Sequence, residues 1–173
     1  MSPEIKSLVD RTKSNFDRLT SIINRMSDDE LFTQPFQKWS PAQHLQHLVI
    51  AIKTSTAAFS LPKFIVRLVG GTVKSSRTYD ELVSDYLEKL QEGAKASGRY
   101  IPGEIDQSVS KEKLILRWQK HTILYLKALE NQKNSDTLKK IAVKHPILQK
   151  ISLIELAYFT IYHTEHHLKQ IKR

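Results

Sequence analysis

Three histidines fall within five residues near the end of the chain, in Tyr162-His163-Thr164-Glu165-His166-His167. On a helix, His163 and His167 are four apart, so their rings lie one turn apart on one face. That is how two imidazoles on one helix share a metal ion; His163 and His166, three apart, can do the same. At roughly 100° per residue, Leu153, Ala157, Leu168 and Ile171 define the buried direction. His167 falls near that direction and His163 at its edge. His166 points well away, beside Glu155 and Tyr162, toward solvent. A single inward histidine is usually a hydrogen-bonded core residue. Two at this spacing leave several ring nitrogens to satisfy unless a ligand does so.

The spacing is common by itself, and a third ligand has to come from another helix. His44 and His47 are the candidates. Face counting mildly prefers His44, which is nearer the Leu45–Leu48–Ile52 stripe. His47 lies on a side lined by Ala51, Thr54 and Ala58, a small-residue face that lets a neighbouring helix approach closely. Helix rotation alone does not decide between them.

The seven histidines are accompanied by no cysteine. Disulfides, zinc ribbons, iron–sulfur clusters and cysteine nucleophiles are therefore excluded, and a metal site must use imidazole and oxygen. Lys+Arg 27 against Asp+Glu 18 gives a net charge of +9. That charge suits nucleic acid, anionic lipid or acidic small molecules. The basic residues are spread along the chain without a recognised DNA-binding motif, which argues against nucleic acid. No apolar run approaches the roughly 20 residues that span a bilayer. The opening Met-Ser-Pro-Glu-Ile-Lys has no apolar h-region, from which a cytoplasmic protein is expected.

The elements that must position these residues are helical. Five glycines in 173 residues and few alternating Val/Ile/Thr runs predict an all-α protein, a single domain over 1–173. A first helix starts at Ser2-Pro3, cap and first-turn proline, and ends near Ser27. Residues 27–39 connect it to a second helix, whose start Ser40-Pro41-Ala42-Gln43 has the form of a capping box. Residues 61–77 carry Lys63, Arg67, Lys74 and Arg77 with Gly70-Gly71, and read as a long crossover or flap able to hold an anionic molecule. A third helix is expected from Thr78 or Asp80 to about Ser97, a loop over 98–109, and a fourth helix from Ser110 to Asn131. A Lys-rich loop with His145-Pro146 precedes the last helix, which starts near Ser152. Five helical segments without a strand pattern predict an up-and-down bundle with a long connection.

Two motifs carry a resemblance. Trp39-Ser40-Pro41-Ala42-Gln43-His44-Leu45-Gln46-His47-Leu48 and Tyr162-His163-Thr164-Glu165-His166-His167-Leu168-Lys169-Gln170-Ile171 resemble the DinB/YfiT-like superfamily of metal-dependent enzymes. The likeness spans nearly the whole chain in length and helix order. It implies a four-helix bundle of up-down-down-up type with a long crossover and short extra helical segments. It implies a divalent metal, nickel or zinc, held by His47, His163 and His167, and so chooses His47 over His44. His145-Pro146 is also similar to a His-Pro found before the last helix in some relatives. Gln149 and Lys150 stand where those have glycine, which argues against a site-lining role for His145.

The resemblance implies either a thiol-dependent S-transferase-like reaction, using a low-molecular-weight thiol, or hydrolysis. It also implies a small-molecule substrate and a homodimer. In this chain Glu165 faces away from the proposed ligands, and Tyr158, Tyr162 and His121 are read as packing or surface before pocket groups. The alternatives are a non-catalytic metal-binding or interaction and scaffold domain and, less favoured, a nucleic-acid binder.

Overall fold

The computed structural model describes residues 1–36, 38–105 and 109–172. Parts of two expected connections, Gln37 in the 27–39 segment and 106–108 in the 98–109 loop, lie outside the described residues, as does Arg173.

The four long helices are α1 (Pro3–Arg25), α3 (Pro41–Ser60), α6 (Lys111–Glu130) and α8 (Leu153–Ile171), joined by α2 (Asp28–Phe32), α4 (Lys63–Gly70), α5 (Tyr79–Gln91) and α7 (Ser135–Lys140). Most begin where a side chain can accept the first free amides. Ser2, Ser40, Ser110 and Ser152 cap the long helices, and Pro3 and Pro41 occupy their first turns. Full capping boxes pair Ser40 with Gln43, Thr78 with Glu81 and Ser152 with Glu155.

Contacts between the long helices give the topology. Trp118 Nε1 donates to Thr20 Oγ1 at 2.9 Å, and Lys111 Nζ donates to the carbonyl of Asn24 at 3.1 Å, so α6 runs antiparallel to α1. Phe59, near the end of α3, meets Tyr125 in the second half of α6 at 5.7 Å, as expected of parallel neighbours. His44 meets His167 and His47 meets His163, so α8 is antiparallel to α3. Glu4 meets Tyr158 and Asn15 meets Glu165, so α8 is parallel to α1. The order is up-down-down-up, with α1–α6–α3–α8 as neighbours around the core. The fold is all-α, with one small sheet.

Three stretches differ from the sequence reading. The 61–77 connector holds α4, which turns Phe64, Leu68 and Val69 outward at 73 %, 84 % and 78 % exposure. The third helix stops at Gln91, six residues early. Gly93, at φ 94°, closes it: its N–H donates to Leu90 O and that of Ala94 to Lys89 O, a Schellman ending that only a left-handed residue permits. The Lys-rich loop contains α7 and an antiparallel hairpin, β1 (Ala142–His145) with β2 (Gln149–Ser152). His145 pairs with Gln149 across a three-residue turn, and Gln149 takes φ 60°, the left-handed state glycine adopts most easily. Here glutamine fills the same conformation, so the hairpin forms without the glycine. Gly70 ends α4 flush against this hairpin: a Cβ there would lie 1.9 Å from the carbonyl oxygen of Ala142.

Arg77 fastens α5 to the start of α8. Its Nε donates to Glu155 at 2.6 Å and its Nη1 to Asp85 at 2.6 Å. Burial alone would raise the Glu155 carboxyl; the guanidinium and the Ser152 and Arg77 amides hold it below the usual carboxylate range instead.

Candidate metal centre

α3 and α8 cross with their histidines inward. His47, His163 and His167 each offer a ring nitrogen, and these nitrogens lie within 4.8 Å of one another. His163 Nε2 is 3.0 Å from His47 Nε2 and 3.0 Å from His167 Nε2. All three rings are buried, at 5–6 % exposure.

The other ring nitrogens set the tautomers. His47 Nδ1–H donates to the backbone carbonyl of Tyr100 at 2.6 Å, which leaves its Nε2 as a lone pair aimed at the cluster. His167 Nδ1 lies 2.8 Å from His44 Nδ1. When His167 is the donor of that pair, its Nε2 is a second lone pair facing the same point. Trp39 stacks on His167 with rings 6.2 Å apart and 10° from parallel, and Phe159 stacks on His163 at 4.7 Å.

The donor set fits a divalent cation. Two lone pairs and a third ring nitrogen converge with at most one N–H among them, an arrangement that repels unless a cation or a shared proton lies between. A zinc–imidazole bond of about 2.0–2.1 Å places three such nitrogens about 3.0–3.4 Å apart. The 3.0 Å separations here meet that range. Burial lowers the pKa of all three rings, His163 and His167 well below the ordinary value, so they stay neutral and able to coordinate at physiological pH. His44, one step behind, is lowered to about 4, by burial first and by His47 and His166 second.

Both second-helix candidates therefore face the site in different roles. His47 stands in the triad, and His44 backs His167. The small-residue face of Ala51, Thr54 and Ala58, which would let a neighbouring helix approach, instead lines a cavity of about 590 Å³ together with the histidine cluster. Its walls also include Tyr86, Leu90, Ile101, Val143 and Phe159.

Two other histidines also reach this cavity, against the sequence reading. His166 is half-buried and lines it, because α5 and Tyr86 cover the side of α8 that faces solvent on an isolated wheel. His145 lines it too. Its ring packs 4.2 Å from Phe159, and its Nδ1 accepts the N–H groups of Ile147 and Leu148, so the hairpin turn aims it inward. Burial lowers its pKa to about 4.

Other candidates stand apart. Glu165 accepts from Asn15 on the α1 side, Tyr158 reaches Glu4, and neither these nor Tyr162 or His121 lines the cavity. The basic crossover is not at the cavity either. Lys63 Nζ donates to the Phe59 and Leu61 carbonyls and Arg77 is held in ion pairs. Arg67 and Lys74 are exposed elsewhere. No single helix among the described residues is long and apolar enough to cross a membrane. Sequence reasoning missed the Tyr100 carbonyl, which side-chain motifs cannot reveal, and the cavity, whose signal was the small residues one, two and three turns beyond His47.

A model of the DinB superfamily matches residues 11–171 of the 173. No curated protein matches the chain.

Proposed function

The chain belongs to the DinB superfamily, and from that premise we propose that it is a metal-dependent transferase of small molecules, with His47, His163 and His167 holding nickel or zinc. The observation that carries this reading is three buried, neutral imidazole nitrogens converging at the end of an open cavity. A divalent cation held there supplies Lewis acidity, which makes a coordinated thiol or water more acidic.

The chain's own residues supply position and dryness. The Tyr100 carbonyl and His44 orient the His47 and His167 rings, the kind of outer support that fixes imidazole ligands. Trp39 and Phe159 pack on the His167 and His163 rings and line the cavity beside them. The cavity seats the substrate against its apolar wall.

Two features favour thiol transfer over hydrolysis. Among the described residues no carboxylate lines the cavity to act as a base on water, and burial depresses the His145 imidazole to about 4. A thiol needs less help, because its ordinary pKa of about 8.5 is already near neutral. With no cysteine in the chain, that thiol comes from a small molecule.

Elemental analysis of purified protein tests the reading. About one nickel or zinc per chain, with metal-dependent conjugation of a thiol to an electrophile such as monochlorobimane, is expected. Protein that neither retains nor takes up either metal refutes it. One metal per chain with no turnover across a panel of thiols and electrophiles returns the chain to the non-catalytic metal-binding reading.

A further inference from the structure

The cavity and its histidines leave one part of the surface unexplained. α4 carries three large apolar side chains in the open, Phe64 at 73 %, Leu68 at 84 % and Val69 at 78 % exposure. Phe64 and Leu68 are four apart, so they form one ridge along the helix. Val66, two residues from each, is buried at 6 % and marks the opposite, inward side. Arg67 is exposed on the flank of the ridge. A helix apolar on both its inner and its outer side has two surfaces to cover, and the described residues cover only the inner one.

The ridge is held in place by backbone bonds. After α4 ends, Ala142 N–H donates to Gly71 O at 3.0 Å and Val73 N–H donates to Lys140 O at 3.0 Å. The helix is therefore fastened to the hairpin, and a partner need not order it first. Its surroundings are basic. No aspartate or glutamate occurs from Leu31 to Tyr79, which includes α4, or from Thr137 to Ile154, which includes the hairpin. A Cβ on Gly71 would lie 3.0 Å from Lys150 Nζ, so that ammonium sits at the end of α4. Lys144 stands opposite Lys150 in the register and shares its face of the hairpin, whereas Val143 and His145 alternate to the face that lines the cavity. Arg67, Lys144 and Lys150 are exposed and make no ion pair among the described residues. Lysines facing each other across an antiparallel pair repel, and an anionic partner relieves that repulsion.

We propose that α4 and the adjoining hairpin face dock on an anionic lipid membrane, with Phe64 and Leu68 entering the headgroup boundary and Arg67 and Lys150 beside the lipid anions. The contact is peripheral and needs no spanning helix. Charge complementarity selects this occupant. A second copy of the chain also carries +9 and would bring like charges together. A nucleic acid matches the charge but leaves the aliphatic Leu68 and Val69 in water. Side chains this exposed project from the surface, so a rigid acidic protein must offer a matching groove, whereas a fluid interface closes around them. Eight residues, about 12 Å of helix, bury too little apolar surface to anchor alone, so the cations and the ridge act together. The metal plays no part in this contact, because the cavity lies on the other face of the hairpin.

The test mixes the full chain with two kinds of vesicle, phosphatidylcholine alone and phosphatidylcholine with about one-third phosphatidylserine, and reads the bound share by co-sedimentation. At about 0.1 M salt the chain should partition onto the phosphatidylserine vesicles about tenfold or more better than onto the neutral ones. Raising the salt to about 1 M, where the screening length falls to about 3 Å, should remove most of that preference. Phe64→Ser with Leu68→Ser should weaken binding to the phosphatidylserine vesicles by about tenfold or more. Arg67→Gln and Lys150→Gln should each weaken it by about fivefold. All four side chains are exposed, so these variants should keep the wild-type circular dichroism and denaturant midpoint. Equal binding to the two kinds of vesicle overturns the proposal. So does binding to phosphatidylserine that Phe64→Ser with Leu68→Ser leaves unchanged, which is adhesion by charge alone. Absence of vesicle binding also overturns it. If the chain then sediments as a dimer that the Phe64→Ser, Leu68→Ser variant turns into a monomer, the ridge belongs to a second copy instead.

Discussion

The two sides of α3 are built on opposite principles. Toward α6 it presents Leu45, Leu48, Ile52 and Phe59, all at most 2 % exposed, and these meet large partners such as Trp118 and Tyr125. Phe16 joins the same cluster from α1, edge-on to Trp118 at 5.2 Å and to Tyr125 at 5.9 Å. Toward the hairpin and α5 the helix presents His44, His47, Ala51, Thr54, Ser55 and Ala58. One side fills space with hydrocarbon, and the other leaves it empty and places ring nitrogens at its end. The difference shows how one amphipathic helix serves both core and site: stability is concentrated on the α6 side, which frees the other side to carry polar, poorly packed groups.

The largest expected effects are those that destroy one side and spare the other. His163→Ala with His167→Ala removes two of the three proposed ligands, so on that reading bound metal should fall from about one per chain to none in elemental analysis. The double variant should still unfold cooperatively, because the α6 side is untouched. Trp118→Ala should do the converse. Truncating a buried tryptophan costs about 3–5 kcal/mol, readable as a drop in the denaturant midpoint of the metal-free protein. The fraction that remains folded should keep its metal stoichiometry. A loss of metal in Trp118→Ala at temperatures where the chain is folded would show that the two sides are not separable.

A smaller effect is expected one step behind the ligands. His44→Phe preserves a ring beside Trp39 but removes the acceptor for His167 Nδ1–H. Loss of such an outer partner typically weakens a metal site by about 10–100-fold. Zinc affinity measured by competition with a chromophoric chelator should fall in that range, while His44→Gln, which keeps an acceptor, should recover part of it. If His44→Phe binds zinc as tightly as the wild type, the His44–His167 contact is packing alone.

The two sides also differ in how much of them the sequence reveals. The filled side is legible because Leu, Ile and Phe at helical spacing state their own direction, and Ser or Thr caps mark the helix starts. His163 and His167 are legible for the same reason, since their four-residue spacing fixes a shared face. Rotation alone could not separate His44 from His47, because both lie within reach of α8 and only the neighbouring elements give them different work. His166 was misplaced because a wheel cannot know that α5 will cover its side. The hairpin escaped because Lys144 and Lys150 interrupt strands of only four residues each. The single-turn α2 escaped although Ser27 and Glu30 form a full capping box, because five residues offer too little apolar periodicity to notice. The cavity was hardest: Ala51, Thr54 and Ala58 fit a close helix contact as well as an open space.

Acidity should also act on the site side alone. Burial depresses His44 and His145 to about 4 and lowers His47, His163 and His167 as well. In the unfolded chain these rings take up protons near pH 6.5, whereas the folded metal-free protein resists until lower pH. Their contribution to stability is therefore complete above about pH 6.5. It is lost as pH falls from there toward 4, at up to about 1.4 kcal/mol per pH unit for each ring. Denaturant midpoints of the metal-free protein at pH 7.5 and 5.0 should show this fall. His145→Phe, which removes one such ring without touching the triad, should make the fall shallower.

The smallest stability effect is expected where the site side is filled. Ala51 is one helical turn beyond His47 and lines the cavity. Adding methylenes to a packed core costs about 1–3 kcal/mol, because neighbours are forced off their rotamers. At Ala51 the added leucine atoms enter open space, so Ala51→Leu should change the unfolding free energy by less than about 0.5 kcal/mol, like an ordinary surface change. Metal stoichiometry should also be unchanged, because no ligand atom is altered. What should disappear is room for a ligand in the cavity that Ala51 lines. A core-like cost of 1 kcal/mol or more would mean that this side of α3 is closed in solution, and that the contrast between its two sides is one of residue type rather than of packing.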